Sequence, residues 1–142
     1  LTTEVFSNDT NVLKAVSSGQ CGVTIVNTYY LARLLDDPKY NNLKIFWANQ
    51  KDRGVHVNIS GAGVVKSSKN KGNAIMLLEY LASEESQNFY ASANREYPVI
   101  SNVLLDDTIR GWGEFNEDNI NVAKLGELQK EAVFLAQEVG YK

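Results

Sequence analysis

The sequence has very few of the residues that form covalent cross-links and transition-metal sites. It contains one cysteine, Cys21, and one histidine, His56, among 142 residues. A single cysteine excludes an internal disulfide, and the two residues cannot supply the repeated ligand spacing of a zinc motif. We therefore expect Cys21 to be a buried thiol. His56 is expected to be a strand or hinge histidine that is hydrogen-bonded to the backbone.

Catalytic and nucleotide-binding motifs are also absent from the sequence. There is no Gly-x-Ser-x-Gly nucleophile, and the glycine-rich run at 60–63 lacks the Lys-Ser/Thr pair that completes a phosphate loop. Carboxylate pairs such as Asp36-Asp37 and Asp106-Asp107 lie at predicted caps or loops, where we expect them to be solvated. The sequence thus offers no acid–base or nucleophile set, and we do not expect an enzyme.

Clusters of one charge and long apolar runs are missing too. Lys and Arg total 14 and Asp and Glu total 17, for a net charge of −3, and no basic stripe supports a nucleic-acid partner. No apolar run approaches the roughly 18 residues that indicate a membrane span. Because the chain begins at Leu1 rather than at Met, we expect an upstream part to have been removed.

The apolar residues that are present predict alternating helices and strands. Helical spacing predicts helices at about 10–18, 28–36, 73–82, 83–93 and 125–139. Short β-branched or alternating runs predict strands at 22–27, 43–47 and 56–60, with 64–65 continuing the last of them. Gly61 and Gly63 in that strand predict a bulge, a close approach of another backbone or ligand, or a hinge. The order helix, strand, helix predicts α/β layering.

Two adjacent tyrosines, Tyr29 and Tyr30, lie where the first predicted strand ends and a helix begins. Ligands of open α/β sheets bind at the carboxyl ends of strands. Ferric iron is a hard cation that prefers anionic oxygen donors, and a tyrosine with a pKa of about 10 becomes such a donor when a bound cation displaces its proton. An irregular strand-to-helix turn allows both rings to face one ion. From spacing alone, two aromatic core residues are the alternative.

The same helix start favours negative charge. Unpaired N–H groups and the positive end of the helix dipole stabilise phenolates and any accompanying anion. Asn27 and Thr28 offer further side-chain donors at this position. We therefore expect both to contact an anion.

The sequence resembles the periplasmic ferric-ion-binding proteins of bacterial iron ABC transporters, also called bacterial transferrins. The similarity covers nearly the whole chain, and its most specific parts are the adjacent tyrosines and the run His56-Val57-Asn58-Ile59-Ser60-Gly61. The other matching stretches are residues 13–16, 19–22, 26–31, 62–64, 74–81 and 96–99.

This resemblance implies an α/β fold, namely the C-terminal part of a two-lobed periplasmic-binding-protein fold with crossover hinge strands. Residues 1–56 would form part of lobe two and carry the tyrosine pair. Residues 57–105 would form the hinge crossover and part of lobe one. Residues 106–142 would return to lobe two with the C-terminal helix.

The resemblance also implies a site and its partners. Tyr29 and Tyr30 fall on the family's adjacent iron ligands, and Asn27 falls where some members contact a synergistic anion. The cargo would be Fe(III), with an anion such as carbonate or phosphate. The expected partners are an inner-membrane ABC permease and either the missing N-terminal half of the protein or a self-associated copy, in the periplasm and without nucleic acid.

The departure from the family is length, because the remaining iron ligands lie in a part that precedes this chain. Two tyrosines cannot complete an octahedral ferric site, so we expect the isolated chain to bind iron weakly. Two alternatives remain open. One is a receptor for another anionic or organic solute on which the tyrosines stack, and the other is an α/β enzyme domain, which the missing acid–base set disfavours.

Overall fold

The computed structural model describes residues 5–141, and its regular structure there is helical. The helices are α1 (Asp9–Ser17), α2 (Thr28–Leu34), a 3₁₀ helix (Pro38–Tyr40), α3 (Lys71–Leu81), α4 (Glu84–Ala93), α5 (Asp107–Arg110) and α6 (Ala123–Glu138). Each helix predicted from sequence is present, with ends that differ by about two residues, which is the usual uncertainty of helix boundaries. The 3₁₀ helix and α5 were not predicted. Among the described residues no helix is both long and apolar enough to cross a membrane.

Polar side chains start several of these helices. Asn8 Oδ1 accepts a hydrogen bond from the Asn11 N–H at 2.9 Å and thereby caps α1. Ser83 caps α4, because its hydroxyl oxygen accepts from the Ser86 N–H at 3.3 Å. Asp106 caps α5 through the Thr108 N–H at 2.9 Å, which confirms that this carboxylate stands at a helix cap.

The predicted strands at 22–27, 43–47, 56–60 and 64–65 are wrong as hydrogen-bonded strands within residues 5–141. The only pairing in this part of the chain is one parallel bridge between Val55 and Glu117. A strand is held by ladder hydrogen bonds to a neighbour, and alternation along one segment cannot supply that neighbour. Val23 and Ile25 are accordingly 82% and 97% exposed.

The chain divides into two compact units. One unit comprises Asn8–Ile45 and Asn58–Glu114, and its core is formed by Leu13, Leu31, Tyr40 and Leu43, around which α1 packs on α2. The other comprises residues 5–7, Phe46–Val57 and 115–141, where Trp47 stacks on Phe115 with ring centroids 4.3 Å apart. This division differs from the predicted lobe boundaries at 1–56, 57–105 and 106–142, which stay a prediction.

Cys21 is more exposed than the sequence predicts, and apolar side chains of several helices also lie at the surface. Phe89 is 64% exposed, and neither α3 nor α6 contains a buried residue, although both have apolar residues at helical spacing. Cys21 is partly exposed rather than buried, and His56 is exposed. Periodicity shows which face of a helix is apolar, but not whether another element covers it.

Close backbone approach occurs at a different glycine from the predicted ones. A Cβ atom on Gly61 or Gly63 would meet nothing within 4 Å. A Cβ on Gly54, which has a φ of +95°, would lie 2.6 Å from backbone atoms of Asn116 and Glu117. The bridge between Val55 and Glu117 follows directly, so Gly54 is what allows the two segments to meet.

Candidate metal centre

The tyrosine pair occupies the first turn of α2. Asn27 is the N-cap residue, with extended backbone angles (φ −70°, ψ 138°), and Tyr29 and Tyr30 are the second and third residues of the helix. Their ring centroids lie 4.5 Å apart and their planes are tilted by 38°. Side chains of adjacent residues diverge by roughly 100° around a regular helix. The two rings nevertheless lie side by side here, and their role as ligands of one ion stays a prediction.

The two tyrosines differ in their surroundings. Both are half-buried, and Tyr30 packs against the core cluster that contains Leu13 and Leu31. The alternative that the pair consists of core aromatics therefore describes part of the environment of Tyr30. The ring of Tyr29 contacts the ring of Tyr30, so the packing of Tyr30 on the core also helps to position Tyr29.

Arg33 places a positive charge over both rings. Its guanidinium carbon lies 5.0 Å from the ring centroid of Tyr29 and 5.1 Å from that of Tyr30, and its Nε donates to the Tyr29 carbonyl at 3.3 Å. A cation over an aromatic face is attracted to the ring, and it also stabilises the negative charge of a phenolate. Arg33 was not predicted from the sequence, although its spacing of three and four residues from the tyrosines is a recognisable helical signal.

The surroundings of Tyr29 favour its protonated form. A hydrogen bond with the Tyr30 side chain is the largest cause that raises the pKa of Tyr29 above its usual 10.0, followed by burial and by the charges of Tyr30, Asp9 and Glu96. Tyr29 therefore loses its proton less readily than a free tyrosine unless a cation is bound. The same negative charges attract a cation, so affinity for a metal ion is expected to rise with pH.

The sign of the effect on folding follows from the raised pKa. The folded chain holds the Tyr29 proton more tightly than the unfolded chain, in which the pKa is 10.0. The resulting stabilisation is complete below that pH and is lost as the pH rises through the folded-state pKa. Near neutral pH this titration does not change stability.

Asn27 is held by two side chains that are distant in sequence. Its backbone N–H and its Nδ2 donate to Asp9 Oδ2 at 3.1 and 3.5 Å, and its Oδ1 accepts from Asn58 Nδ2 at 2.8 Å. One Nδ2 hydrogen is left over for a ligand, but the Asp9 carboxylate lies beside it. Thr28 is the first residue of α2, and no side chain caps that helix end. The expected contacts of Asn27 and Thr28 with an anion stay a prediction.

Asp9 and Glu96 are carboxylates whose charges act on Tyr29. Burial raises the pKa of Tyr97 to about 12, so a phenolate there is disfavoured. Residues 5–141 contain no group of three or more His, Cys, Asp and Glu side chains that could hold a metal ion. Two phenolic oxygens are fewer than the six donors of an octahedral ion, so the tyrosine pair alone does not complete such a site.

The effect of Glu96 on Tyr29 is directly testable. We expect Glu96→Gln to lower the pKa of Tyr29, because it removes one of the negative charges that oppose ionisation. The pKa is measured by NMR titration of the tyrosine Cζ resonances, assigned with Tyr29→Phe. Glu79→Gln, at an exposed position of α3, is the control. An unchanged Tyr29 pKa in Glu96→Gln, or an equal fall in both variants, would contradict this expectation.

The chain is similar to known bacterial proteins over almost all of its length. The family model "Bacterial extracellular solute-binding protein" matches residues 5–88. "Iron uptake protein A1" of Synechocystis is 43% identical over 141 residues, which are 95% of this chain and 39% of that protein. "Major ferric iron-binding protein" of Neisseria meningitidis serogroup B is 25% identical over 139 residues, or 96% of this chain and 42% of that protein.

Solved structures give the same picture. A ferric binding protein from Campylobacter jejuni is 36% identical with a TM-score of 0.92, covering 100% of this chain and 47% of that one. A Trichodesmium protein (IdiA, FutA) in complex with iron and citrate is 41% identical with a TM-score of 0.89, covering 96% and 45%. The predicted binding-protein fold is thereby confirmed, and the chain spans somewhat less than half the length of these proteins.

Proposed function

The chain belongs to the bacterial extracellular solute-binding protein family, and on this basis we propose that it forms the tyrosine-bearing part of a periplasmic ferric-iron receptor. The observation that carries the proposal is the convergence of the Tyr29 and Tyr30 rings, 4.5 Å apart, at the start of α2. Relatives named for iron uptake and ferric iron binding support it. Those relatives are named for iron uptake and iron binding and not for a chemical reaction.

The residues of this chain have separable tasks in the proposed site. Tyr29 and Tyr30 lose their protons when Fe(III) binds and become anionic oxygen ligands, which a hard trivalent cation prefers. Arg33 lies over both rings and offsets part of the negative charge that two phenolates create. The hydrogen bond with Tyr30, burial and the charges of Asp9 and Glu96 raise the pKa of Tyr29, and thereby favour its protonated form when iron is absent. Binding and proton release are thus coupled at this pair.

An anion completes the proposed coordination. Carbonate or phosphate at the start of α2 would contact Asn27 and Thr28 and lie near the positive charge of Arg33. A related Trichodesmium protein is described with iron and citrate, which shows that an anion and iron occur together in that relative. The remaining ligands would come from the rest of the receptor, and residues 57–105 would lead to its other lobe.

Delivery follows from closure of the two lobes. In binding proteins a hinge motion closes the two lobes around the ligand, so the loaded receptor differs in shape from the empty receptor. We infer that the closed, iron-loaded receptor docks on an inner-membrane ABC permease. The predicted crossover at 57–105 is the part of this chain that would contain the hinge.

A receptor for another organic anion is the second candidate. The exposed guanidinium of Arg33 over two aromatic rings favours a carboxylate or similar anionic group without requiring a metal. In that case the tyrosines would stack on the solute and stay protonated. The two candidates differ in whether the phenols ionise on binding.

Titration of the complete gene product with ferric nitrilotriacetate separates them. Ferric binding to the tyrosines is expected to produce an intense visible phenolate-to-iron band and a red to orange colour, with release of protons. Calorimetry with citrate alone tests the second candidate. Tight citrate binding without any visible band after ferric addition would overturn the ferric proposal in favour of the organic anion.

A further inference from the structure

Arg95 is the described residue that ties α2 to a distant part of the chain most extensively. One of its guanidinium nitrogens donates to the carbonyl oxygen of Ala32, which lies 63 residues earlier. Its Nη2 donates to Asp36 Oδ1 at 2.6 Å, and its Nε lies 3.7 Å from Asp106 Oδ2. The side chain is only 19% exposed. Two of these partners, Ala32 and Asp36, lie at the C-terminal end of the helix that carries the tyrosine pair.

The backbone at Arg95 adopts an unusual conformation. Its φ of 57° lies in the left-handed region, which only one other non-glycine residue among 5–141, Asn49, also occupies. Such conformations are unfavourable for side chains with a Cβ and persist where the surrounding structure requires them. Here the left-handed turn directs the side chain after α4 back onto α2.

The segment around Arg95 is anchored independently of α2. Gln87, in α4, is only 9% exposed, and its Oε1 accepts from the Val99 N–H at 2.9 Å while its Nε2 donates to the Leu81 carbonyl at 2.7 Å. Asp106, the third partner of Arg95, is itself held as the N-cap of α5. Hydrogen bonds that lie before and after Arg95 in the sequence therefore hold the segment that carries the guanidinium in place.

Helix α2 needs such a support. It has seven residues, and in the described part of the chain its N-cap residue, Asn27, makes no capping hydrogen bond through its side chain. A helix of this length is not stable by itself and depends on tertiary contacts. The Ala32 carbonyl belongs to the last turn, where carbonyls lack partners within the helix, and a cation at that end also favours the helix dipole. Ala32 is fully buried and lies three residues after Tyr29.

We propose that Arg95 is a positioning residue that clamps the C-terminal end of α2 and thereby sets the placement of the Tyr29 and Tyr30 rings for ligand binding. This inference rests on the proposed function for its effect on iron. Arg95 does not touch the rings, so it acts through the helix. Lysine cannot replace it fully, because a single ammonium group cannot reproduce the planar fork that reaches both Ala32 and Asp36.

The test compares Arg95→Gln and Arg95→Lys with Arg110→Gln in the complete gene product. Arg110 is a matched control because its guanidinium is 63% exposed and pairs only with the nearby Asp107 among the residues described. We expect Arg95→Gln to lower ferric affinity by about 10- to 100-fold, as changes to groups that orient metal ligands do. The phenolate-to-iron band should shift, Arg95→Lys should be intermediate, and Arg110→Gln should match the wild type.

A purely structural role for Arg95 would lower thermal stability without changing the band or the affinity of the folded protein, and that result would overturn the proposal. If Arg95→Gln does not fold, Asp36→Asn decides, since it removes one partner of the guanidinium at a side chain that is 65% exposed. A band shift in Asp36→Asn supports the clamp, and wild-type affinity and band contradict it.

A second readout does not require iron. Fluorotyrosine labelling, with the signals of residues 29 and 30 assigned by Tyr29→Phe and Tyr30→Phe, reports the ring environments directly by ¹⁹F NMR. Moved signals in Arg95→Gln support the clamp, and unmoved signals overturn it. If the wild-type protein shows no phenolate-to-iron band, the proposed function fails, and the clamp is still decided by these signals.

Discussion

Replacing both tyrosines, Tyr29→Phe and Tyr30→Phe together, is expected to abolish the visible iron band of the complete protein. Ferric affinity should fall by more than about 100-fold, because even changes to groups that only orient metal ligands cost roughly 10- to 100-fold. The physical reason is that phenylalanine keeps the ring and its packing but removes the anionic oxygen. Absorbance and competition with nitrilotriacetate measure both quantities.

The fold should survive this double change. Tyr30 packs on the core through its ring, which Phe retains, and the loss of one hydrogen bond between two half-buried phenols costs about 1 kcal/mol. Tyr80→Phe, at a tyrosine of α3 that is 51% exposed, is the matched control and should keep the wild-type band. Unchanged iron binding in the folded double variant would show that the ligands lie elsewhere.

Gly54→Ala is expected to be the most destabilising of the single changes considered. The added Cβ would lie 2.6 Å from the Asn116 oxygen and from the Glu117 carbonyl, both of them backbone groups, at a φ of +95°. The left-handed strain of about 1–2 kcal/mol and an overpacking cost of about 1–3 kcal/mol together predict a loss of about 3 kcal/mol. Chemical denaturation measures this free energy of unfolding.

Amide hydrogen exchange locates the same effect. The Val55 N–H donates to the Asn116 carbonyl and the Asp118 N–H donates to the Val55 carbonyl, each at 2.9 Å. Both amides should lose protection in Gly54→Ala. Gly72→Ala, at an open position of α3, is the control, and it should be neutral or stabilising by up to about 1 kcal/mol. Equal stability of the two variants would show that the two segments do not approach as described.

The helices could be predicted from sequence because their determinants are local. A capping side chain, apolar residues three and four apart and a terminal glycine all lie within one segment, so α1, α4 and α6 were placed within about two residues. The strands could not be confirmed in the same way. Segments 22–27 and 43–47 have the β-branched or alternating pattern, but no neighbour among residues 5–141 pairs with them.

Some residues of the candidate site could be recognised from local sequence, and others could not. The adjacent tyrosines could be recognised as a ferric-ligand candidate from residue type and from their position at a helix start. Arg33 could also have been found, since it stands three and four residues from the pair. Asp9 and Glu96 could not, because nothing local connects residues 9 and 96 with Tyr29.

By itself, the sequence determined the five longer helices, the position of the tyrosine pair at the start of α2 and the oxygen-ligand chemistry that such a pair can perform. Only the tertiary structure decided that the two rings converge, that Arg95 reaches Ala32 across 63 residues and that Gly54 admits a second backbone. The physical reason is range. Capping and helical spacing act within one or two turns, whereas a hydrogen bond or close contact between distant segments exists only once both have been brought together by packing.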